Sequence, residues 1–431
     1  MSTRYALDKA FLLYCVGCCK RMDCNYLVRL GIMLLLKSRG LCVIICCLFV
    51  NVFVSYLSEL KADPVQSLLV NQQEENSSNS NAAKSSEDGK ESDRWFERIS
   101  VKQDFRYRHE SIEDETEGFR NRHRFRYRLF VGSQIADKFA LGFQLVTGNS
   151  DPVSTNQTLD DGFSTKEIRI DQGYFSFTPQ SELNFSLKGG KFKNPLILPG
   201  KSELIWDSDL VPEGLAMSIE TRSLDFEALF RSAYFLIEER KSSSDSRMYA
   251  IQVAARFGFG GKNHVMIGVS DFYYDNVKTF PLFYNSEESY GNSIDSSGGY
   301  LHEFNLIEFF FETRFSIGKN PLVVFGDFVY NSEIEDNNMG YKAGFRLGEI
   351  DRKYTWQLRY NYRQLEKDAV IGLFTDSDFC GGGTDSEGHE LGFVFAADER
   401  VNTAVSYFLN YKCLESNESY HRLQLDLILK F

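Results

Sequence analysis

Beyond residue 47 this chain of 431 residues has only two cysteines, Cys380 and Cys413; the other seven all precede residue 50. A disulfide scaffold is therefore excluded for most of the chain. The early cluster "CVGCCKRMDC" (Cys15 to Cys24) lacks the second ligand pair that a zinc site needs. A basic surplus is missing as well. The formal net charge is -12, which excludes nucleic acid as the main partner, because binding phosphates takes an excess of exposed Lys and Arg. There is no G-x-S-x-G, and there are only six histidines. "HESIE", "HEFNL" and "HELGF" all lack the second His of a zinc-protease helix, and "GGG" at Gly381 to Gly383 lacks the Lys and helix of a phosphate loop. The residues point away from an enzyme and call for no cofactor or metal.

After Ala62 long apolar runs are also missing. Before it, "KSRGLCVIICCLFVNVFVSYLSELKA" (Lys37 to Ala62) has the basic, apolar and small-residue order of a secretory signal cut after Ala62, with Met33 as the expected start. An uncleaved anchor is the alternative, since Leu41 to Ser58 approaches the ~18–20 apolar residues that span a bilayer. Residues 1–62 are read as leader and signal. Residues 63–93, with "QQEENSSNSNAAKSSEDGKES", bury too little to offset chain entropy and are read as a flexible polar linker.

What the chain does have is rings, 37 Phe and 22 Tyr, spread through residues 94–431 in runs of period two. In "YTWQLRYNYR" one face carries Tyr354, Trp356, Leu358, Tyr360 and Tyr362, and the other Thr355, Gln357, Arg359, Asn361 and Arg363. Such runs predict sixteen strands near 97–109, 119–132, 138–148, 166–178, 183–192, 214–221, 226–239, 247–259, 264–274, 303–317, 321–331, 340–349, 354–366, 388–397, 401–413 and 419–431. Short connections alternate with long ones. Sandwich strands average ~5–6 residues, and these are about twice that. The fold class expected is all-β, a transmembrane antiparallel up-and-down β-barrel with apolar side chains outward and polar ones inward.

The run "RNRHRFRYRLFVG" decides which face is wet. Arg120, Arg122, Arg124, Arg126 and Arg128 share one face. A lipid-facing Arg costs about 2–4 kcal/mol near the midplane, so a row of them faces a lumen. Arg106 and Arg108 on the preceding strand join them, and Arg256, Arg346, Arg359, Arg363 and Arg422 fall on polar faces further on. These are the expected pore-lining residues. Compensating acids are expected in the loop "ESIEDETEG", Glu110 to Gly118.

A constriction is expected from the long loop "KFKNPLILPGKSELIWDSDLVPEG", which mixes Lys191, Lys193 and Lys201 with Glu203, Asp207, Asp209 and Glu213 and carries apolar residues that a solvated loop does not need. Folded inward, its acids would face the arginines. Cys380 and Cys413 both map to long loops on one rim, either as a disulfide or as two free thiols.

"RFRYRLFVG", "LVTGNSDPVSTNQTLDDGFSTKEIRIDQGYF", "GGKFKNP" and "WDSDLVPEGLA" resemble the putative porin family of Gram-negative outer membranes, which is distantly similar to the phosphate-selective porins. The resemblance is dense from Arg120 to Ala216. It implies a porin-like channel for small hydrophilic solutes; with sixteen strands around a water-filled lumen and a basic wall, the expected function is passive diffusion of ions and small polar solutes, with anions favoured. The implied partners are outer-membrane lipid, lipopolysaccharide and the solutes themselves. The strand "YHRLQLDLILKF", ending on Phe431, resembles the terminal signal read by the barrel-assembly machinery. A monomer and a homotrimer stay open, and a non-conducting structural or surface-binding barrel is the alternative function.

Overall fold

The computed structural model describes residues 98–431 apart from Glu182 and Leu224; the leader, the cut after Ala62, Met33 and the polar linker lie outside the described residues. One antiparallel sheet holds seventeen strands. They are β1 (Ile99–Asp114), β2 (Gly118–Ala136), β3 (Phe139–Thr147), β4 (Gln157–Thr158), β5 (Ile168–Phe177), β6 (Asn184–Lys191), β7 (Glu213–Arg222), β8 (Phe226–Glu238), β9 (Ser246–Gly258), β10 (His264–Asp275), β11 (Asn305–Ile317), β12 (Asn320–Asn331), β13 (Met339–Gly348), β14 (Trp356–Leu365), β15 (Ser386–Asp398), β16 (Val401–Lys412) and β17 (Glu418–Lys430).

β17 returns to β1, with Asp104 opposite Lys430 and Asp114 opposite Tyr420, so the sheet closes and has no free edge. β4 stands apart. It lies opposite Arg124 and Phe125 of β2, while β3 pairs directly with β5, so sixteen of the seventeen strands form the wall. Each overlaps one of the runs read from the alternation.

The alternation forms these strands because each face has its own solvent. On β17 Leu425 and Leu427 are exposed outward, while Arg422 and Gln424 are buried inward. On β11 Phe309 and Phe311 face out, and Leu306, Glu308 and Phe310 face in. Backbone groups are satisfied between strands, as a membrane interior requires.

One expectation fails at the first hairpin. β1 runs on to Asp114, so Glu110, Glu113 and Asp114 are strand residues, not loop residues, and only 115–117 turn before Gly118 at φ 85°. Inward Glu110 finds Arg122 and Arg422, and that pairing keeps this part of the chain in the wall.

Long loops gather on one rim and most turn inward. Loops 192–212, 276–304 and 366–385 pack with β7–β12 into one apolar cluster that includes Phe192, Leu204, Trp206, Phe235, Phe272, Phe283, Tyr300 and Phe374. This cluster fills one side of the lumen. The open passage lies on the other side, along β1, β2 and β13–β17.

Candidate functional site: the barrel lumen

β1 and β2 set the arginines in register across the hairpin, Arg106 opposite Arg126 and Arg108 opposite Arg124. Like charges at that spacing repel, and the structure answers with carboxylates. Arg108 Nε donates to Asp426 at 2.7 Å and Nη1 to Asp378 at 3.0 Å. Arg122 and Arg422 both donate to Glu110, which is fully buried. Arg126 and Arg128 share Asp104, at 3.0 and 2.7 Å. Arg124 turns to Ser154 Oγ and the carbonyl of Asn156, both at 3.2 Å.

Loop 192–212 crosses to the far wall. The Ile197 amide donates to Gln252 Oε1 at 2.7 Å on β9, and the Gly200 amide to Glu312 Oε2 at 2.7 Å on β11. Gly200, at φ 57°, sits so close to the Phe325 ring of β12 that a Cβ there would lie 2.0 Å from it. The loop then returns toward β2, where Asp209 stands 3.8 Å from Arg126 and 3.6 Å from Arg128. Burial pushes the Asp209 carboxyl up, but Arg126, Arg128 and Arg106 outweigh it and hold the acid below its usual range.

The lumen narrows here to a cavity of about 390 Å³. Arg106, Arg108, Arg126, Arg346, Arg359 and Lys201 line it, facing Glu203, Asp207, Asp209, Asp376, Asp378 and Glu390. A second space of about 490 Å³, bounded by Asp104, Arg128, Gln144, Lys193 and Phe431, lies toward the chain's end.

Other expected residues lie elsewhere. Lys191 and Glu213 pair with each other at 3.0 Å where the loop leaves the wall, Lys191 opposite outward Gly173 and Glu213 on the parity of exposed Leu215. Strand alternation turns them out of the lumen, which corrects their place in the constriction. Arg256 binds Glu227 at 2.6 Å near the short-turn rim, away from the cavity. Arg363 is fully buried, donating to the Gly383 carbonyl at 2.8 Å with its guanidinium 4.6 Å from the Phe379 ring centroid, so it holds a loop and does not meet the passage. Arg120 is exposed beyond the last paired arginine.

Sequence reading missed the second inward loop, 366–385. There Phe379 and Cys380 are buried, and Asp376 and Asp378 enter the cavity. The signal was present in "DAVIGLF", an apolar run that a solvated loop does not need. The two loops interlock. The Asp207 amide donates to the Phe374 carbonyl at 2.7 Å, and the Ser377 amide to Asp207 Oδ2 at 2.8 Å. Cys380 and Cys413 are both free thiols.

Glu203, Asp207 and Asp376 converge beside Lys342, whose Nζ is 4.0 Å from Asp376, and within reach of Arg359 and Arg363. Burial and mutual repulsion raise all three carboxyls, Glu203 to about 8. Among the described residues no group of His, Cys, Asp and Glu has the arrangement to hold a metal ion.

The sequence matches the family model described as Putative porin over residues 68–295 and 312–431. No curated protein matches it. Among solved structures it is similar to Pseudomonas putida OprB at high pH, with 9% identity and a TM-score of 0.50 over 77% of this chain and 94% of that one. It is also similar to Salmonella typhi OmpF in complex with daunomycin, with 10% identity and a TM-score of 0.49 over 77% and 97%. At such identity the OprB likeness is one of fold. The family match spans most of the chain and the wall closes in sixteen strands, so this chain belongs to the Putative porin family and is a β-barrel porin of the Gram-negative outer membrane.

Proposed function

We propose that the barrel passes ions and small hydrophilic solutes by passive diffusion, with a modest preference for anions. The observation that carries this reading is the charged cavity of about 390 Å³ between the inward loops and β1, β2 and β13–β17. Charged walls around a narrow wet space concentrate and order passing solutes.

The anion preference rests on fewer residues than the arginine row suggests. Arg108, Arg126, Arg128 and Arg359 each have a carboxylate partner. Lys201 and Arg346 have none among the described residues, and Arg106 has only Asn156 Oδ1, at 2.5 Å. These three leave positive charge in the passage. The Glu203 carboxyl, raised to about 8 by burial and then by Asp376, reduces the opposing negative charge at neutral pH.

The test is a planar-bilayer recording of the purified chain in a KCl gradient. Single-channel steps with a reversal potential on the chloride side support the reading. Steps with a potassium-side potential remove the anion preference alone. Absence of steps favours the second reading, a non-conducting structural or surface-binding barrel, for which the apolar cluster filling one side of the lumen is the motivating observation.

Phe431 exchanges backbone hydrogen bonds with Gln103 at the closing seam, at 2.8 and 3.0 Å, which suits a terminal strand read by the barrel-assembly machinery before closure. The outward aromatic side chains suit contact with outer-membrane lipid and lipopolysaccharide. Cross-linking in native membranes separates a monomer from a homotrimer. The reading assigns the chain no catalysis.

A further inference from the structure

The cavity carries two unmet demands of opposite sign. On one side, Lys201 and Arg346 line it with no hydrogen bond or ion pair among the described residues, and Arg346 Nε is buried without an acceptor. On the other, Glu203, Asp207 and Asp376 lie together, with Lys342 4.0 Å from Asp376 and Arg359, already bonded to Glu390, as another cation beside Glu203 and Asp376. Beside them Asn361 is 5% exposed; its Nδ2 donates to Glu390 at 2.7 Å, and its Oδ1 has no donor. A buried acceptor without a donor is costly. An N–H of an incoming molecule supplies one.

We propose that the solute this cavity favours is a small zwitterion, an α-amino acid or short peptide, with its anionic group against Lys201 and Arg346 and its ammonium toward Glu203, Asp376 and Asn361 Oδ1. The proposal rests on the channel reading above and adds the class of solute. A simple anion meets only the cationic side and a simple cation only the acidic side, whereas a zwitterion meets both at once. The volume of about 390 Å³ leaves room for such a molecule with part of its hydration. Neither side is saturated, so attraction is enough to admit a solute without trapping it. The raised Glu203 carboxyl accords with this site, because an arriving ammonium takes the place of the proton it holds.

The experiment is initial uptake, at low concentration, into vesicles carrying the full-length chain, of four labelled solutes of similar size: glycine, uncharged glycolamide, anionic glycolate and cationic ethanolamine. Glycine is expected to enter at least roughly fivefold faster than glycolamide and faster than either singly charged solute, the scale of one charge-assisted hydrogen bond gained in the passage. Lys201→Gln with Arg346→Gln, and separately Glu203→Gln with Asp376→Asn, are expected to bring the glycine-to-glycolamide ratio to about one while glycolamide still enters. Lys201→Gln alone removes no contact of the fold and lowers the ratio if the double variants do not assemble. A wild-type ratio near one in a channel that admits glycolamide overturns the proposal and leaves the channel reading standing. Glycolate as fast as glycine does the same, leaving plain anion preference. No uptake of any solute and no ion current overturns the channel reading itself.

Discussion

Trp206 of loop 192–212 stacks on Phe374 of loop 366–385, ring centroids 5.9 Å apart and planes within 12°. Phe283 from loop 276–304 also stacks with Phe374, ring centroids 6.1 Å apart at 13°. Three loops far apart in sequence thus share one aromatic column, and Glu203, Asp207 and Asp376 lie within three residues of Trp206 or Phe374 in the chain. Trp206→Ala opens a void in that column, a change worth about 3–5 kcal/mol in a packed core. The barrel itself is held by its strands, so the variant should assemble with normal heat-modifiable mobility on a gel. Its single-channel conductance should rise and its open-state noise increase. Unchanged conductance would mean that the loops do not set the narrowest point.

Asp209 stands against Arg126 and Arg128, at 3.8 and 3.6 Å, on the wall of the passage. Asp209→Asn leaves the arginines with Asp104 alone, so the reversal potential in a salt gradient should move further toward chloride. Replacing Arg122, Arg124, Arg126 and Arg128 by Gln should move it toward potassium. If neither change shifts the potential, the arginine face is only structural.

pH should act on selectivity through Glu203, whose carboxyl is raised to about 8 by burial, then by Asp376, with Lys342 opposing. Asp207 and Glu390 also face it, as do Lys201, Arg359 and Arg363. A raised acid is neutral below its pKa and gains charge above it. Between pH 7 and 9 the passage therefore becomes more negative, and the reversal potential should drift toward potassium. Glu203→Gln should flatten that drift. A drift of equal size in the variant assigns it to another group.

Glu110 is fully buried and joins Arg122 and Arg422 across the barrel seam. Glu110→Gln leaves the buried Arg422 and the partly exposed Arg122 short of their counter-charge, a loss of about 3–5 kcal/mol for the broken buried Glu110–Arg422 pair. The temperature at which the folded gel band converts to the unfolded one should fall. An unchanged transition would mean that Asp378, which also contacts Arg422 at 2.8 Å, carries the cluster.

Cys380 is buried, and burial pushes its thiol up to about 12, whereas Cys413 is partly exposed and lies at the outer end of β16. Maleimide on intact cells should label Cys413 and spare Cys380 until the barrel is unfolded, as read by peptide mass. Labelling of both at equal rates would show that loop 366–385 opens on its own.

Much of the wall was legible beforehand because strand alternation is a local property. Every second residue meets lipid or water, and the cost of an Arg in lipid is large enough to set the face of "RNRHRFRYRLFVG" without knowledge of its neighbours. The same logic placed Arg106 and Arg108 beside it and turned the apolar face of β17 outward. It failed where a partner decides. Glu110 looked like the start of an acidic loop because nothing near it in sequence shows that Arg422 will stand across the seam. Lys191 and Glu213 looked like constriction residues because their loop does enter the lumen, yet register pairs them on the outside.

Alone, the sequence determined the strands, their inward and outward faces and the alternation of short turns with long loops, because each follows from which solvent a side chain can tolerate. The tertiary structure decided where the passage runs. Apolar residues in loops 192–212, 276–304 and 366–385 are buried only against one another, so one side of the barrel fills. The arginine row, which looked like the selective element, is largely paired with carboxylates. The cations Lys201 and Arg346, without a carboxylate partner, and the acids Glu203, Asp207 and Asp376 beside Lys342 come together only once these loops and the wall are brought around one cavity.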